Sequence, residues 1–410
     1  MENNLYPRYR YVMGAITIPC AALTYLALMI TTPLLVHFSS AFSADIATAG
    51  YITTLHVMMM GVFMFVGPII IGAIDIKRTQ LIGVGIMIAG LLLAWLAPSF
   101  GVLLAARVIT GIGHGISGAC TNSVIAAWFP TKEKSVMITI NNLGLAAMGA
   151  LGYAVAVPMY HAMGDSWRGV MLVMLLILVA VELSWIIWGR DNEAMNAHIR
   201  AENAATGKRT NAFSGIGEAV SRWDSWCLCL YMGLASVAAT GISTYLPQFL
   251  QNVRGYTDAG AASIVGLTTG IGAAGTFLGG IAATAVGKRK PIILPFMALT
   301  AVFAVLALVC RAHILIALTL FLYTFATNFR STASWTIATE LKGVTPPLAS
   351  AVSAMIYGVG SVCALAVPAT YGFAERSFGA ERSMLVFVPV FVLALVFAAL
   401  LPETGTRPKK

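Results

Sequence analysis

The chain has 410 residues, 59% of them hydrophobic and 10% charged, with a mean hydropathy of +0.84 and a formal net charge of +9. Soluble domains carry about 25% charged residues, so this composition excludes a soluble globular protein. Long apolar runs, rather than short alternating strands, make it an all-α integral membrane protein.

Twelve membrane-spanning helices are predicted in order, over about 11–36, 47–75, 79–98, 101–129, 136–160, 167–189, 225–251, 260–284, 291–310, 313–338, 347–372 and 383–401. The first follows Arg8 and Arg10 and is too long for a signal-peptide core, so it is expected to remain as a span. With the N-terminus inside, Arg168, Arg254, Arg311, Arg376 and Arg382 fall in outer segments and Arg107 and Arg330 within spans; the other 18 of the 25 Lys and Arg are cytoplasmic. That asymmetry predicts a multi-pass protein of the cell (inner or plasma) membrane with both termini cytoplasmic. It also accounts for the pI of about 9.3, because the basic excess retains loops beside anionic lipid and is not a nucleic-acid footprint. All six cysteines lie in or at the edge of apolar runs without metal-ligand spacing, so free thiols and no metal site are expected.

The polar stretch 190–224 separates two blocks of six spans, giving an N-terminal bundle at 1–189 and a C-terminal bundle with a short tail at 225–410. The blocks echo one another: GPIIIGAIDIKR at 67–78 answers GTFLGGIAATAVGKRK at 275–290. Paired six-helix halves suit a transporter that rocks one half against the other around a midplane site.

The fourth span carries Arg107, Gly111, His114 and Gly115 at i, i+4, i+7 and i+8, on one helical stripe. A guanidinium in hydrocarbon costs at least roughly 2.5–3.5 kcal/mol on insertion scales, so an intramembrane Arg is a site hypothesis. Arg330 in the tenth span is the second such cation, about 12 Å of helix rise from the cytoplasmic end, too far for easy snorkelling. Glu182 on the sixth span is the acidic residue inside a predicted span, read as an interfacial or helix-contact group and a candidate proton carrier. His56 and His114 are the other titratable groups in the membrane; either they couple substrate to protons or they bond as neutral rings within the bundle. The small residues Gly67, Gly72, Gly275, Gly279 and Gly280 are expected to permit close helix approach. Asp75 beside Lys77 and Arg78 at the cytoplasmic mouth, answered by Lys288 and Arg289, suits an ion pair or a helix cap that latches the inner gate.

The sequence resembles the major facilitator superfamily along its whole length. The loop signature between spans 2 and 3 is matched by Gly67, Gly72, Asp75, Lys77 and Arg78, and its counterpart between spans 8 and 9 by Gly275, Gly280, Gly287, Lys288, Arg289 and Lys290. The fourth-span signature is matched by Arg107, Gly111, Gly113 and Gly115. The first loop is two residues short, Thr284 stands where an Asp is usual, and Ala150 replaces the proline of the drug/proton antiporter pattern. The resemblance implies twelve spans in two pseudo-symmetric bundles, with spans 1, 2, 4, 5, 7, 8, 10 and 11 lining the cavity. The WRG at Trp167 to Gly169 and the TYLPQFL run look most like cyanate/nitroimidazole-type and other anion permeases.

The cavity helices then hold two fixed cations and no carboxylate, a balance that gathers anions and rejects cations. The function expected is a secondary transporter of a small organic or inorganic anion by alternating access, driven by protons or a counter-substrate and acting as a monomer. Arg330 binds the anion and Arg107 supports it, with Asn328, Tyr25, Tyr51, Asn142, Tyr245, Gln248, Thr269 and Tyr357 as candidate orienting groups. The alternative is a proton-driven exporter of hydrophobic compounds. There is no Walker-type motif, His/Cys constellation or nucleophile elbow, so no enzyme activity and no cofactor are expected.

Overall fold

The computed structural model describes residues 6–195, 197, 216–343 and 346–405. Among these, twelve helices are long and apolar enough to cross a membrane: Arg10–Met29, Ile46–Ile74, Ile76–Trp95, Phe100–Trp128, Val136–Ala162, Trp167–Trp188, Trp223–Arg254, Asp258–Val286, Lys290–Val309, His313–Glu340, Ala351–Phe378 and Ala380–Leu400. They are numbered below as the first to twelfth spans. Large apolar side chains such as Leu176, Ile187, Leu267 and Phe277 stand exposed on them. In water that would be an aggregation surface; in a bilayer it is the lipid face.

The first helix stops at Met29, short of the expected 36. Pro33 lacks an amide hydrogen and disfavours helical backbone at Thr32, so the chain turns and restarts as the helix Leu35–Phe42. Of the five glycines expected at close approaches, Gly67, Gly275 and Gly279 face atoms that a Cβ would strike. Gly72 instead has open space around it, and Gly280 meets Thr332 only at van der Waals distance.

The contacts form two compact units. One gathers Met1–Met29, Leu55–Met148 and Tyr160–Ala212; the other gathers Ile30–Thr54, Gly149–Met159 and Phe213–Lys410. Short segments of the first half of the sequence thus pack with the second. Within that second unit the Tyr245 hydroxyl donates to the Ala47 carbonyl at 2.9 Å, and the Tyr153 hydroxyl donates to the Ser243 carbonyl at 3.2 Å.

Residues 196 and 198–215 of the stretch expected as a linker lie outside the described residues. Its first residues are fixed to the first unit, where Asn192 Nδ2 donates to the Ala127 carbonyl at 2.9 Å.

Candidate functional site

The tenth span carries Arg330 into a cavity of about 210 Å³ within the second unit, walled by the seventh, tenth and eleventh spans. The residue is only 6% exposed. Its Nη1 donates to Tyr231 Oη at 2.9 Å, Tyr231 donates to Ser334 Oγ at 2.7 Å, and the Ser334 hydroxyl donates to the Arg330 carbonyl at 2.8 Å. Ser334 lies one helical turn after Arg330, so the circuit closes on the same face and each hydroxyl hydrogen is used once. The guanidinium is held in place, yet its buried Nε has no hydrogen-bond partner among the described residues, and neither has the buried Thr327 Oγ1 on the same wall. Trp335 and Tyr357 stack beside them with ring centroids 4.7 Å apart, and no Asp or Glu is among the described residues that line the cavity. Among the described lining residues no carboxylate neutralises this buried cation, which sits among hydroxyl groups.

The first unit holds the second cluster. Gly111 and Gly115 let the second span approach so closely that a Cβ on either would lie 2.5 Å from the carbonyl oxygen of His56 or Met60. That approach brings His56 Nδ1 to 3.1 Å from Thr110 Oγ1 and His56 Nε2 to 3.0 Å from His114 Nδ1. The Thr110 hydroxyl donates to the Arg107 carbonyl at 3.0 Å. Its one hydrogen is then spent, so it accepts from His56 Nδ1, which makes His56 Nε2 the acceptor of the His114 Nδ1 hydrogen. The chain of donors runs from His114 through His56 and Thr110, beside an Arg107 that is 1% exposed. His114 Nε2 is the ring nitrogen outside this chain. Tyr25 meets the His114 ring edge-on at 6.4 Å.

The charged residues at the helix starts form matched arrangements in the two units. Asp75 sits at φ +89° and ψ 168°, a strained backbone for a residue with a Cβ, and its Oδ1 accepts from Arg78 N at 2.8 Å. Asp191 Oδ1 accepts from Ile76 N at 3.1 Å and Lys77 N at 3.2 Å, while Lys77 Nζ donates to the Ile186 carbonyl. In the second unit Glu403 Oε1 accepts from Arg289 N at 2.9 Å and Lys290 N at 3.1 Å, and Lys290 Nζ donates to the Ala399 carbonyl. Each of these two carboxylate oxygens, one per unit, sits where the helix dipole is positive. Arg289 also grips Glu340 through Nε and Nη2, and this bond holds the guanidinium above its ordinary value. Burial, with Asp75 close by, raises the Asp191 carboxyl.

Other expected site residues lie elsewhere. Asn328 and Tyr357 join Arg330 on the cavity wall. Tyr245 is fully buried, stacked on Tyr371 at 3.8 Å with its hydroxyl on Ala47, and Gln248 is buried on the same helix. Tyr51 and Thr269 are half-buried outside the cavity lining, Asn142 is exposed, and Lys288 is half-buried in the loop before the ninth span. Glu182 is half-buried on the sixth span with a buried Oε2 that lacks a hydrogen-bond partner among the described residues. Sequence reasoning passed over Tyr231, Ser334, Trp335, Thr110, Asp191, Glu340 and Glu403. Thr110 and Ser334 stand one turn from an intramembrane Arg and were within reach of the helical period.

Twelve helices among the described residues, each long and apolar enough to cross a membrane, define a multi-pass membrane protein. The chain belongs to the Major Facilitator Superfamily, whose sequence profile matches residues 17–368. It is similar to the allantoate permease of Saccharomyces cerevisiae, 25% identical over 272 residues covering 60% of this chain and 49% of that one. It is also similar to the cyanate transport protein CynX of Escherichia coli, 25% identical over 262 residues and 64% of each chain. The chain thus spans between about half and two thirds of the length of these relatives. In fold it resembles a bacterial homolog of the human lysosomal transporter Spinster, in an inward-facing and unoccupied conformation, with TM-score 0.78 at 18% identity over 96% of this chain and 97% of that one.

Proposed function

We propose that the protein is a secondary transporter of a small anion, organic or inorganic, working by alternating access with a proton or a counter-substrate as the drive. The observation that carries this reading is the cavity at Arg330, in which a buried guanidinium with a vacant Nε meets hydroxyl groups and no carboxylate. Burying that cation is unfavourable until an anion neutralises it, and the same field rejects cations. The names of two relatives, an allantoate permease and a cyanate transport protein, each specify an anion. The cavity volume of about 210 Å³ lies below the roughly 300–1,000 Å³ of pockets for drug-sized ligands, which favours a small cargo over the hydrophobic compounds of an exporter.

In this mechanism the six-helix halves 1–189 and 225–410 move about the site in a cell membrane, both termini cytoplasmic. Asp75, Lys77, Arg78, Lys288 and Arg289 gate the cytoplasmic mouth. Arg107 supports the coupling cluster, and His114 takes the driving proton with His56 orienting it. A thermal-shift screen of purified protein against small carboxylates, sulfonates, cyanate, nitrate and lipophilic cations tests the reading, because a specific ligand raises the melting temperature by mass action. A shift by anions is expected; a shift by lipophilic cations alone contradicts it.

A further inference from the structure

We infer that the cavity at Arg330 selects a monovalent carboxylate carried on a flat, conjugated body, an inference that rests on the anion reading of the same cavity. Charge comes first. Arg330 is the one charged residue on the described lining, with no Lys, His or second Arg beside it. One fixed positive charge in a low-dielectric pocket is matched by one negative charge, and a dianion brings a second that nothing there neutralises.

Geometry narrows the head group. Nη1 is committed to Tyr231, and the guanidinium circuit through Ser334 keeps it so. The edge that remains carries the hydrogens of Nε and Nη2, which are parallel and coplanar and fit two coplanar oxygens in the bidentate manner. Nε is the buried atom without a partner among the described residues. A linear or spherical anion presents one atom to both hydrogens, whereas a carboxylate gives each hydrogen its own oxygen.

The wall beside Arg330 narrows the body. Trp335 lies five residues after it, stacked on Tyr357 of the neighbouring span with an interplanar angle of 27°, and both rings border the cavity. Each ring covers one face of the other, so a ligand meets an outer face of the pair, a flat apolar surface that a planar π-system contacts over its full face and a puckered ring only at a few atoms.

The test titrates purified protein with benzoate, cyclohexanecarboxylate, phthalate and nitrate, reading the melting shift, and lets the same anions compete for flux in proteoliposomes. Benzoate is expected to bind about fivefold more tightly than cyclohexanecarboxylate, the ratio expected from one aromatic contact, and more tightly than phthalate or nitrate. Trp335→Leu brings the benzoate to cyclohexanecarboxylate ratio to about one, while Trp335→Phe keeps it. Should Trp335→Leu fail to fold, Tyr357→Leu makes the same comparison. Cyclohexanecarboxylate, phthalate or nitrate binding as tightly as benzoate overturns the flat-monoanion assignment and leaves the anion reading standing. Silence from all four anions overturns both.

Discussion

His56 Nε2 and His114 Nδ1 face each other at 3.0 Å inside the first unit, joining the second and fourth spans through a single hydrogen. Because Thr110 fixes the tautomer of His56, the ring nitrogen left outside the hydrogen-bonded chain is His114 Nε2. Two positive rings at that separation, beside Arg107, would repel strongly, so the pair has room for one added proton at most.

If this proton drives transport, His114→Gln leaves exchange across the membrane intact and abolishes accumulation driven by a pH gradient. For one proton and a gradient of one pH unit, the native protein concentrates its anion about tenfold, and the variant reaches only equal concentrations. His56→Gln, which removes the orienting partner, gives a partial loss. Gradient-driven uptake that survives both substitutions would assign the coupling elsewhere, with Glu182 next to be tested.

Asp191 gives a pH-dependent readout outside the membrane spans. Its folded value is raised above the ordinary 3.8 by burial, with Asp75 adding to it. The folded state therefore holds the proton to higher pH than the unfolded chain does. The stability this contributes is complete below pH 3.8 and is lost as pH rises through the raised value. Asp191→Asn keeps an acceptor for the Ile76 and Lys77 amides and removes the titration. Its melting temperature should lose the wild-type gain on acidification through that window, whereas Asp191→Ala, which removes the cap, costs about 0.5–2 kcal/mol at every pH. Parallel pH profiles for wild type and Asp191→Asn would contradict this.

Tyr245 binds the segment Ile30–Thr54 into the second unit through Ala47. Tyr245→Phe retains the stack on Tyr371 and should lower stability by about 1 kcal/mol, the value of one hydrogen bond. Gly50→Ala costs more, because its Cβ would collide with the Tyr245 hydroxyl. The two penalties should be less than additive in the double variant, where the colliding oxygen is gone. Strict additivity in thermal unfolding would show that the two residues do not meet.

The twelve spans were legible because each is a long apolar run, and the stripe of Arg107, Gly111, His114 and Gly115 because helical periodicity is local. The partners of those residues were not. Tyr231 reaches Arg330 from the seventh span and Tyr357 reaches Trp335 from the eleventh, and sequence spacing carries no record of such tertiary contacts. Tyr245 illustrates the converse: a polar aromatic on a cavity helix reads as a ligand group, yet its hydroxyl is taken by a backbone carbonyl and its ring by Tyr371. Asp191 was hidden inside a polar stretch whose composition reads as linker. Its function depends on two amides of another helix. The repeat of the two halves was visible at the glycines and basic clusters, and recurs in the structure as the paired bonds of Lys77 to Ile186 and Lys290 to Ala399.

The central claim is that Arg330 binds an anionic cargo directly. The most direct measurement is anion flux in proteoliposomes containing wild type, Arg330→Lys and Arg330→Gln, each shown to be folded by its melting transition. Near-complete loss in Arg330→Gln is predicted, with partial activity in Arg330→Lys, which keeps the charge but loses the two-pronged edge. Wild-type flux in Arg330→Gln would contradict the account.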